Sequence, residues 1–136
     1  MAADDARKCI LLVDDDIDIT RLITRWLERE GYRVRCSANG HAALEALAAD
    51  PLPDLVLLDI LLPKTSGLNV LRRLRAGERT RDLPVVLMTS LASDKDVKLG
   101  GLLGADDYII KPLVERNFLE RVREALRKPC RAPQDF

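Results

Sequence analysis

The sequence predicts an α/β fold, a (βα)₅ chain that forms a doubly wound, five-stranded parallel sheet with right-handed crossovers. Two observations carry this prediction. Short runs rich in Val, Leu and Ile alternate with helix-patterned segments along the whole chain. Three of these runs are continuously apolar, as expected of parallel strands that helices cover on both faces. The chain has 136 residues, which suits one domain with a substantial core.

The predicted strands are the apolar runs. They are CILLVD at 9–14, YRVRC at 32–36, DLVLLD at 54–59, PVVLMT at 84–89 and DYIIK at 107–111. The second run differs from the others because its apolar and polar residues alternate. Alternation is typical of a strand with one wetter face, so we expect this strand at an edge of the sheet.

Helical patterns fill the intervals between the strands. In 17–30, one buried stripe is predicted, and its members are Ile19, Leu22, Ile23, Trp26 and Leu27. Gly31 follows at the position where helices commonly stop. The other predicted helices are 40–49, one opened by Ser66-Gly67 that runs to about Ala76, 94–103, and 115–127. Gly100-Gly101 inside the fourth helix predicts a loosened or easily displaced segment.

Composition narrows the classes of partner and compartment. Lys plus Arg and Asp plus Glu both total 22, so the formal net charge is zero. We therefore expect no direct nucleic-acid binding, and the lack of a long apolar run predicts no membrane insertion. The three cysteines have no C-x-x-C spacing, and the N-terminus has no apolar signal core, so a cytoplasmic protein with reduced thiols is expected.

Polar residues stand at the carboxyl ends of four predicted strands. Asp14 and Asp15 follow the first, Asp59 ends the third, Thr89 ends the fourth and Lys111 ends the fifth. Ligands of open α/β sheets bind at this edge, at the point where the strand order reverses. Several carboxylates there would repel one another, and a small hard cation such as Mg²⁺ relieves that repulsion. The sequence thus predicts an acidic metal site with a lysine and a hydroxyl beside it.

Two other sites begin with a similar cluster of aspartates. A calcium loop would use Asp14, Asp16 and Asp18, but its required Gly and Glu are replaced by Ile19 and Arg25. A haloacid-dehalogenase-type phosphotransferase carries D-x-D-x-T after its first strand, which DIDIT at 16–20 matches as a string. That match begins two residues beyond the strand, where a helix starts. Asp16 and Asp18 are better interpreted as acids that cap a helix N-terminus.

Four segments resemble the response-regulator receiver domain, in the order of that family. They are ILLVDDDIDI, DLVLLDILLPKTSGLNVLRRLR, LPVVLMTS and GADDYIIKPL. The resemblance covers about 8–127, which leaves 1–7 as an N-terminal extension and 128–136 as a tail or linker stub. It implies a flavodoxin-like three-layer sandwich with strand order 2-1-3-4-5. The sequence departs from the family pattern at 64–66, where Lys-Thr-Ser makes the loop before Gly67 more basic.

The resemblance assigns roles to the residues at the sheet edge. It implies that Asp59 is the phosphoacceptor, with Mg²⁺ or Mn²⁺ held directly by Asp15 and Asp59. Asp14 would act through a bound water, and the Leu61 backbone carbonyl would be a further metal ligand. The donor would be a sensor histidine kinase or a histidine phosphotransfer protein. Such a domain assists its own phosphorylation and dephosphorylation and has no separate enzymatic output.

The resemblance also implies a conformational switch and its targets. Lys111 and Thr89 would contact the phosphoryl oxygens, and Tyr108 would turn inward as Thr89 moves, although Tyr108 could equally serve as plain packing. The surface that changes is the fourth helix, fifth strand and fifth helix. It would meet a downstream protein target, a fused output domain or a second copy in a weak dimer. The Lys111–Pro112 bond is expected to be cis.

Simpler interpretations stay open for several residues. The arginines of the first helix and the cluster Arg72, Arg73 and Arg75 are expected to form solvated faces. Trp26 is expected to bury its ring beside Leu22. For the protein as a whole, the alternative function is a docking module on a receiver fold that works without phosphorylation.

Overall fold

Five strands and five helices alternate strictly along the chain. The computed structural model describes residues 7–90 and 94–127. The elements are β1 (Cys9–Val13), α1 (Ile17–Arg29), β2 (Arg33–Ser37), α2 (Gly40–Ala48), β3 (Leu55–Asp59), α3 (Gly67–Ala76), β4 (Val85–Thr89), α4 (Asp94–Leu102), β5 (Asp107–Ile110) and α5 (Glu115–Arg127). The predicted tail 128–136 and most of the predicted extension lie outside the described residues.

All five strands form one parallel sheet in the order β2-β1-β3-β4-β5, which confirms the predicted fold class and places β2 at an edge. The register aligns the strand ends, because Val13 pairs with both Ser37 and Leu58. At the other side, Thr89 pairs with Ile110. The carboxyl ends of the strands therefore lie along one edge of the sheet.

Each strand supplies side chains alternately to two core layers, as its pleat requires. Ile10 and Leu12 of β1 pack with α1 and α5, and Leu11 and Val13 pack with α2 and α3. All five residues of β1, β3 and β4 are buried, which is the physical reason that these strands are continuously apolar up to the polar residues Asp59 and Thr89 that end β3 and β4. Among the described helices, none is long and apolar enough to cross a membrane.

The first helix begins where the aspartate cluster ends. Asp16 is its N-cap, and the Asp16 carboxylate accepts hydrogen bonds from the backbone N–H groups of Asp18 and Ile19. Both aspartates thus serve the helix start, as the sequence predicted. Asn39 and Ser66 cap α2 and α3 through similar side-chain hydrogen bonds.

The predicted stripe of α1 is correct except at Leu22. Ile23, Trp26 and Leu27 are buried, whereas Leu22 is 37% exposed. Leu22 lies at the margin of the stripe, and at 3.6 residues per turn a marginal position points partly to solvent. The Trp26 side chain is buried, as predicted. Its ring lies 5.7 Å from the Phe118 ring of α5, centroid to centroid.

Arg75 does not lie on a solvated face, so that part of the prediction is wrong. Its side chain is 13% exposed, and its guanidinium pairs with Asp106 at 3.1 Å. It also donates hydrogen bonds to the backbone carbonyls of Gly104 and Leu83, at 2.8 and 2.7 Å. Asp106 accepts a second hydrogen bond, from the Val85 N–H. The last turn of α3 is thereby tied to the start of β4 and to the loop before β5.

Replacing Arg75 by Met should destabilise the protein strongly. The change leaves the mostly buried Asp106 carboxylate and two carbonyls without their charged partner, which costs about 3–5 kcal/mol for a buried pair. The matched control is Arg79→Met, which breaks the Arg79–Asp50 pair, where the side chains are 42% and 85% exposed. That pair is worth about 0–1 kcal/mol. Urea denaturation of both variants measures the difference, and equal losses would contradict this assignment.

Candidate functional site

The residues predicted at the carboxyl edge of the sheet do lie together there. Asp14 and Asp15 follow β1, and Asp59 and Thr89 are the last residues of β3 and β4. Lys111 follows β5, and its N–H donates to the Thr89 carbonyl at 2.8 Å, which extends the ladder between the two strands. Topology therefore brings side chains from four separate segments to one place.

Lys111 is the central contact of this site. Its Nζ atom lies 2.9 Å from Asp14 Oδ2 and 3.2 Å from Asp59 Oδ2. The Asp14 and Asp59 side chains are buried, with exposed fractions of 0% and 7%, and Lys111 is mostly buried, with 15% of its side chain exposed. Such short, charge-assisted bonds in a partly dry site are strong and fix the relative positions of the two carboxylates.

Backbone N–H groups hold the remaining carboxylate oxygens. Asp14 Oδ1 accepts a hydrogen bond from the Asp16 N–H at 2.9 Å. Asp59 Oδ1 accepts one from the Leu61 N–H at 3.1 Å. Both carboxylates are thus oriented on two sides, by the chain that follows each strand and by Lys111.

The charges of the site perturb one another. Burial raises the pKa of the Asp59 carboxyl above its ordinary value, Lys111 opposes this rise, and the neighbouring Asp14 adds to it. Burial by itself would lower the pKa of Lys111, but its hydrogen bond to Asp14 and the charge of Asp59 raise it overall. Lys111 is therefore firmly protonated at neutral pH. One positive charge faces several carboxylates, so the site keeps an excess of negative charge.

The excess of negative charge at this site suits a divalent cation. Asp14, Asp15 and Asp59 each place one carboxylate oxygen so that all three lie within 4.8 Å of one another. Asp15 is exposed and the other two are buried, so one side of the cluster faces solvent. Oxygen ligands with access to water suit Mg²⁺, which retains several waters when bound to one or two carboxylates. The Leu61 carbonyl, predicted as a further ligand, lies two residues beyond Asp59 and stays a prediction.

Thr89 and Tyr108 border a cavity beside the acidic cluster. Thr89 is buried, and Tyr108 is 38% exposed. The cavity has a volume of about 320 Å³ and is lined by both residues together with Ile60, Leu87, Gly101, Ala105, Asp106 and Asp107. The pair predicted to move together thus shares one space. The Lys111–Pro112 peptide bond is cis, as expected, and so is Asp50–Pro51.

Gly67 is a site residue that the sequence did not single out beyond the start of a helix. Its N–H donates to the Ile60 carbonyl at 2.8 Å, which closes the loop 60–66 over the end of β3. A Cβ atom at this position would lie 2.1 Å from the Asp59 backbone oxygen. Only glycine permits that approach. In the same loop, Lys64 adopts a left-handed φ of 71°, which a non-glycine residue rarely does.

The family follows from the comparison of the whole chain with known families. The model of the response regulator receiver domain matches residues 10–123, with the acidic cluster, Thr89 and Lys111 all inside the match. The chain belongs to the receiver-domain family. Its α/β architecture and its edge of aspartates are those of a receiver in a two-component system.

Relatives include transcriptional regulators. The chain is 44% identical over 125 residues to the DNA-binding dual master transcriptional regulator RpaA of Synechocystis sp., which covers 92% of this chain and 52% of RpaA. It is 43% identical over 119 residues to the transcriptional regulatory protein CpxR of Escherichia coli, covering 88% of this chain and 49% of CpxR. This receiver thus spans about half the length of these relatives.

Solved receivers share its fold. The BeF₃-activated N-terminal receiver domain of RstA from Klebsiella pneumoniae matches with a TM-score of 0.81 at 38% identity, covering 89% of this chain and all of that one. A CheY-like receiver domain protein from Methanospirillum hungatei matches with a TM-score of 0.81 at 33% identity, covering 88% and 94% of the two chains. Both matches support the receiver assignment at the level of structure as well as sequence.

Replacing Lys111 by Met should destabilise the receiver when divalent cations are removed with EDTA. The change leaves two buried carboxylates without their shared cation, a loss of about 3–5 kcal/mol for a buried pair. Millimolar Mg²⁺ should recover part of that loss, because it neutralises the same carboxylates. Lys64→Met, in the exposed loop, is the matched control and should change little. A Lys111→Met variant as stable as this control would contradict the central position of the ammonium.

Proposed function

We propose that this receiver accepts a phosphoryl group on Asp59 from a phosphohistidine donor and signals through the surface of α4, β5 and α5. The observation that carries the proposal is the position of Asp59. Its carboxylate lies at the end of the central strand β3, within reach of Asp14 and Asp15 and in contact with Lys111. A carboxylate nucleophile with cationic support is the requirement for an aspartyl phosphate.

The transfer is a displacement at phosphorus. One Asp59 carboxylate oxygen forms a new O–P bond while the N–P bond to the donor imidazole breaks, and the bonding electron pair returns to that imidazole nitrogen. Hydrolysis removes the phosphoryl group again: a water oxygen attacks phosphorus and gives up a proton to solvent, while the O–P bond to Asp59 breaks and its electron pair returns to the carboxylate. The receiver assists both steps but has no further enzymatic activity in this proposal.

The surrounding residues provide position and charge for this chemistry. Backbone N–H groups hold the carboxylates of Asp14 and Asp59 in fixed orientations. Lys111 is placed to pair with a phosphoryl oxygen, and the Thr89 hydroxyl to donate to another. Asp15, Asp59, Asp14 through water, and the Leu61 carbonyl are the proposed ligands of Mg²⁺, or of Mn²⁺. When bound, that cation would neutralise part of the negative charge of the carboxylates and of the phosphoryl group.

The signal is a shift between two arrangements of Thr89 and Tyr108. When Thr89 turns toward the phosphoryl group, it leaves space that the Tyr108 ring can occupy. A ligand shifts such an equilibrium only through contacts that it makes in one state, and the phosphoryl contact to Thr89 is of this kind. Leu99, Leu102 and Ile110 are exposed on the same surface, which suits a protein partner or a weak dimer.

The proposed partners are a sensor histidine kinase or a histidine phosphotransfer protein upstream, and a target protein or fused output domain downstream. The relative RpaA is a DNA-binding regulator, and this limits the expectation, drawn from the neutral net charge, that the protein binds no nucleic acid. The absence of direct nucleic-acid contact is therefore a prediction for these 136 residues alone, because the named relatives are about twice as long. A full-length regulator of that kind could bind DNA through other residues.

Acetyl phosphate with Mg²⁺ should add one phosphoryl group to this receiver, read as a single adduct by intact mass. The adduct should disappear in Asp59→Asn and when EDTA removes the cation. Asp18→Asn is the matched control, because Asp18 is a nearby exposed acid in the first turn of α1 and should keep the adduct.

The outcomes separate the two candidate functions. An adduct that persists in Asp59→Asn would move the acceptor to another residue. Divalent-cation binding is measured separately, with Mn²⁺ as a paramagnetic probe in place of Mg²⁺. If the protein forms no adduct and also binds no Mn²⁺, the docking module that works without phosphorylation is favoured.

A further inference from the structure

The β2–α2 turn, residues 37–40, contacts both chain segments that carry the acidic cluster, although it supplies none of the three clustered carboxylates. On one side, the Ser37 carbonyl accepts a hydrogen bond from the Asp14 N–H at 3.1 Å. On the other side, Gly40, the buried first residue of α2, packs against Thr65 in the loop that follows β3. One short turn therefore joins the two segments whose carboxylates approach one another.

The approach of Gly40 to Thr65 leaves no room for a side chain. A Cβ atom on Gly40 would lie 2.3 Å from Thr65 Cγ2 and 2.9 Å from Val70 Cγ2. Gly40 does not have a positive φ, so the lack of space and not the backbone conformation favours glycine here. Val70 is fully buried in a close-packed core, whereas Thr65 is only partly buried. A methyl group added at Gly40 would therefore displace the loop more than the core.

The Thr65 side chain is not free to rotate away from Gly40. Its hydroxyl accepts a hydrogen bond from Asn69 Nδ2 at 3.1 Å, which a rotation about χ1 would break. The Thr65 N–H donates to the Pro63 carbonyl at 2.7 Å, and Lys64 between them has the left-handed φ of 71°. The loop thus has little freedom to absorb a displacement locally.

The same loop orients the proposed acceptor. The Leu61 N–H donates to Asp59 Oδ1 at 3.1 Å. The hydrogen bond from the Gly67 N–H to the Ile60 carbonyl ties the two ends of the loop together. Because the ends are fixed, a displacement at Thr65 is transmitted to the residues between them, and Leu61 is one of these.

We propose that the β2–α2 turn is a positioning element of the phosphorylation site and that Gly40 is its positioning residue. The Ser37 carbonyl fixes the chain at Asp14. The bare Cα atom of Gly40 sets the position of Thr65 and, through the loop, the orientation of the acceptor carboxylate. The functional importance of this positioning rests on the proposed function, but the positioning itself requires neither cation nor phosphoryl group.

A pair of opposed substitutions separates positioning from core packing. Gly40→Ala adds a methyl group that meets Thr65 Cγ2. Thr65→Ser removes that Cγ2 and keeps the hydroxyl that Asn69 contacts. If the contact acts through the loop, the double variant should regain most of what Gly40→Ala loses. Leu47→Ala is the matched control, because it weakens the packing of α2 at a buried position near the other end of the helix.

Two measurements on the full chain need no phosphorylation. Hydrogen exchange of the Leu61 amide in EDTA reports its hydrogen bond to Asp59, and paramagnetic relaxation of water protons reports Mn²⁺ affinity. Groups that orient metal ligands contribute on the order of 10–100-fold to metal affinity, so Gly40→Ala should bind Mn²⁺ about tenfold more weakly. Its Leu61 N–H should exchange faster, and its adduct with acetyl phosphate and Mg²⁺ should form more slowly.

The other variants should respond differently. The Gly40→Ala, Thr65→Ser double variant should return toward parental Mn²⁺ affinity and Leu61 exchange. Leu47→Ala should unfold at lower urea concentration and keep the parental Mn²⁺ affinity. Asn69→Ala, which releases Thr65 without adding volume, should weaken Mn²⁺ binding by a smaller factor, and it replaces Gly40→Ala if that variant does not fold.

Three results would overturn the inference. The first is parental Leu61 exchange and Mn²⁺ affinity in folded Gly40→Ala, or in Asn69→Ala where it is the replacement. The second is a loss that Thr65→Ser fails to recover, which would place the effect in the core. The third is an equal loss of Mn²⁺ affinity in Leu47→Ala, which would show that affinity merely follows stability.

The parent protein separates this inference from the proposed function. If the parent forms no adduct while the Leu61 exchange and Mn²⁺ affinities follow the expected pattern, phosphorylation of Asp59 fails and the positioning is retained. If the parent forms the adduct and Gly40→Ala matches it in every measurement, the positioning alone fails.

Discussion

The site is organised by one mostly buried ammonium group among several carboxylates. Lys111 contacts both Asp14 and Asp59, and its charge makes their close approach tolerable in a partly dry environment. Because the negative charge still exceeds the positive charge, the cluster suits a divalent cation, and that cation together with Lys111 would offset the further negative charge of a transferred phosphoryl group.

The parallel sheet makes this arrangement possible. Side chains from β1, β3, β4 and β5 meet because all four strands end at one edge, and the continuously apolar strands hold that edge rigid. In the last turn of α3, Arg75 pairs with Asp106 and so ties α3 to the loop before β5. Asp106 also lines the cavity beside Thr89, so this anchor fixes one wall of the space in which Tyr108 is proposed to move.

Much of the fold could be predicted from the sequence. Apolar runs and helical stripes located all ten elements to within a few residues, and the capping roles of Asp16 and Ser66 were readable from residue type and position. Leu22 and Arg75 were misplaced for opposite reasons. Leu22 lies at the margin of its stripe, and whether such a position is buried depends on which neighbouring segments cover it. Arg75 is buried because carbonyls and a carboxylate from distant segments surround its guanidinium.

The sequence by itself determined the α/β class and the residue types available at the carboxyl edge, because periodicity and strand-end position are local properties of the chain. Tertiary structure alone decided that Lys111 bridges Asp14 and Asp59, that Gly67 must approach the Asp59 backbone, and that Gly100 and Gly101 differ. These features depend on distances between segments far apart in sequence, and packing sets those distances. Two identical adjacent letters in α4 therefore meet different surroundings, because a Cβ atom at the first would collide with Leu87 of β4 and one at the second would meet nothing within 4 Å.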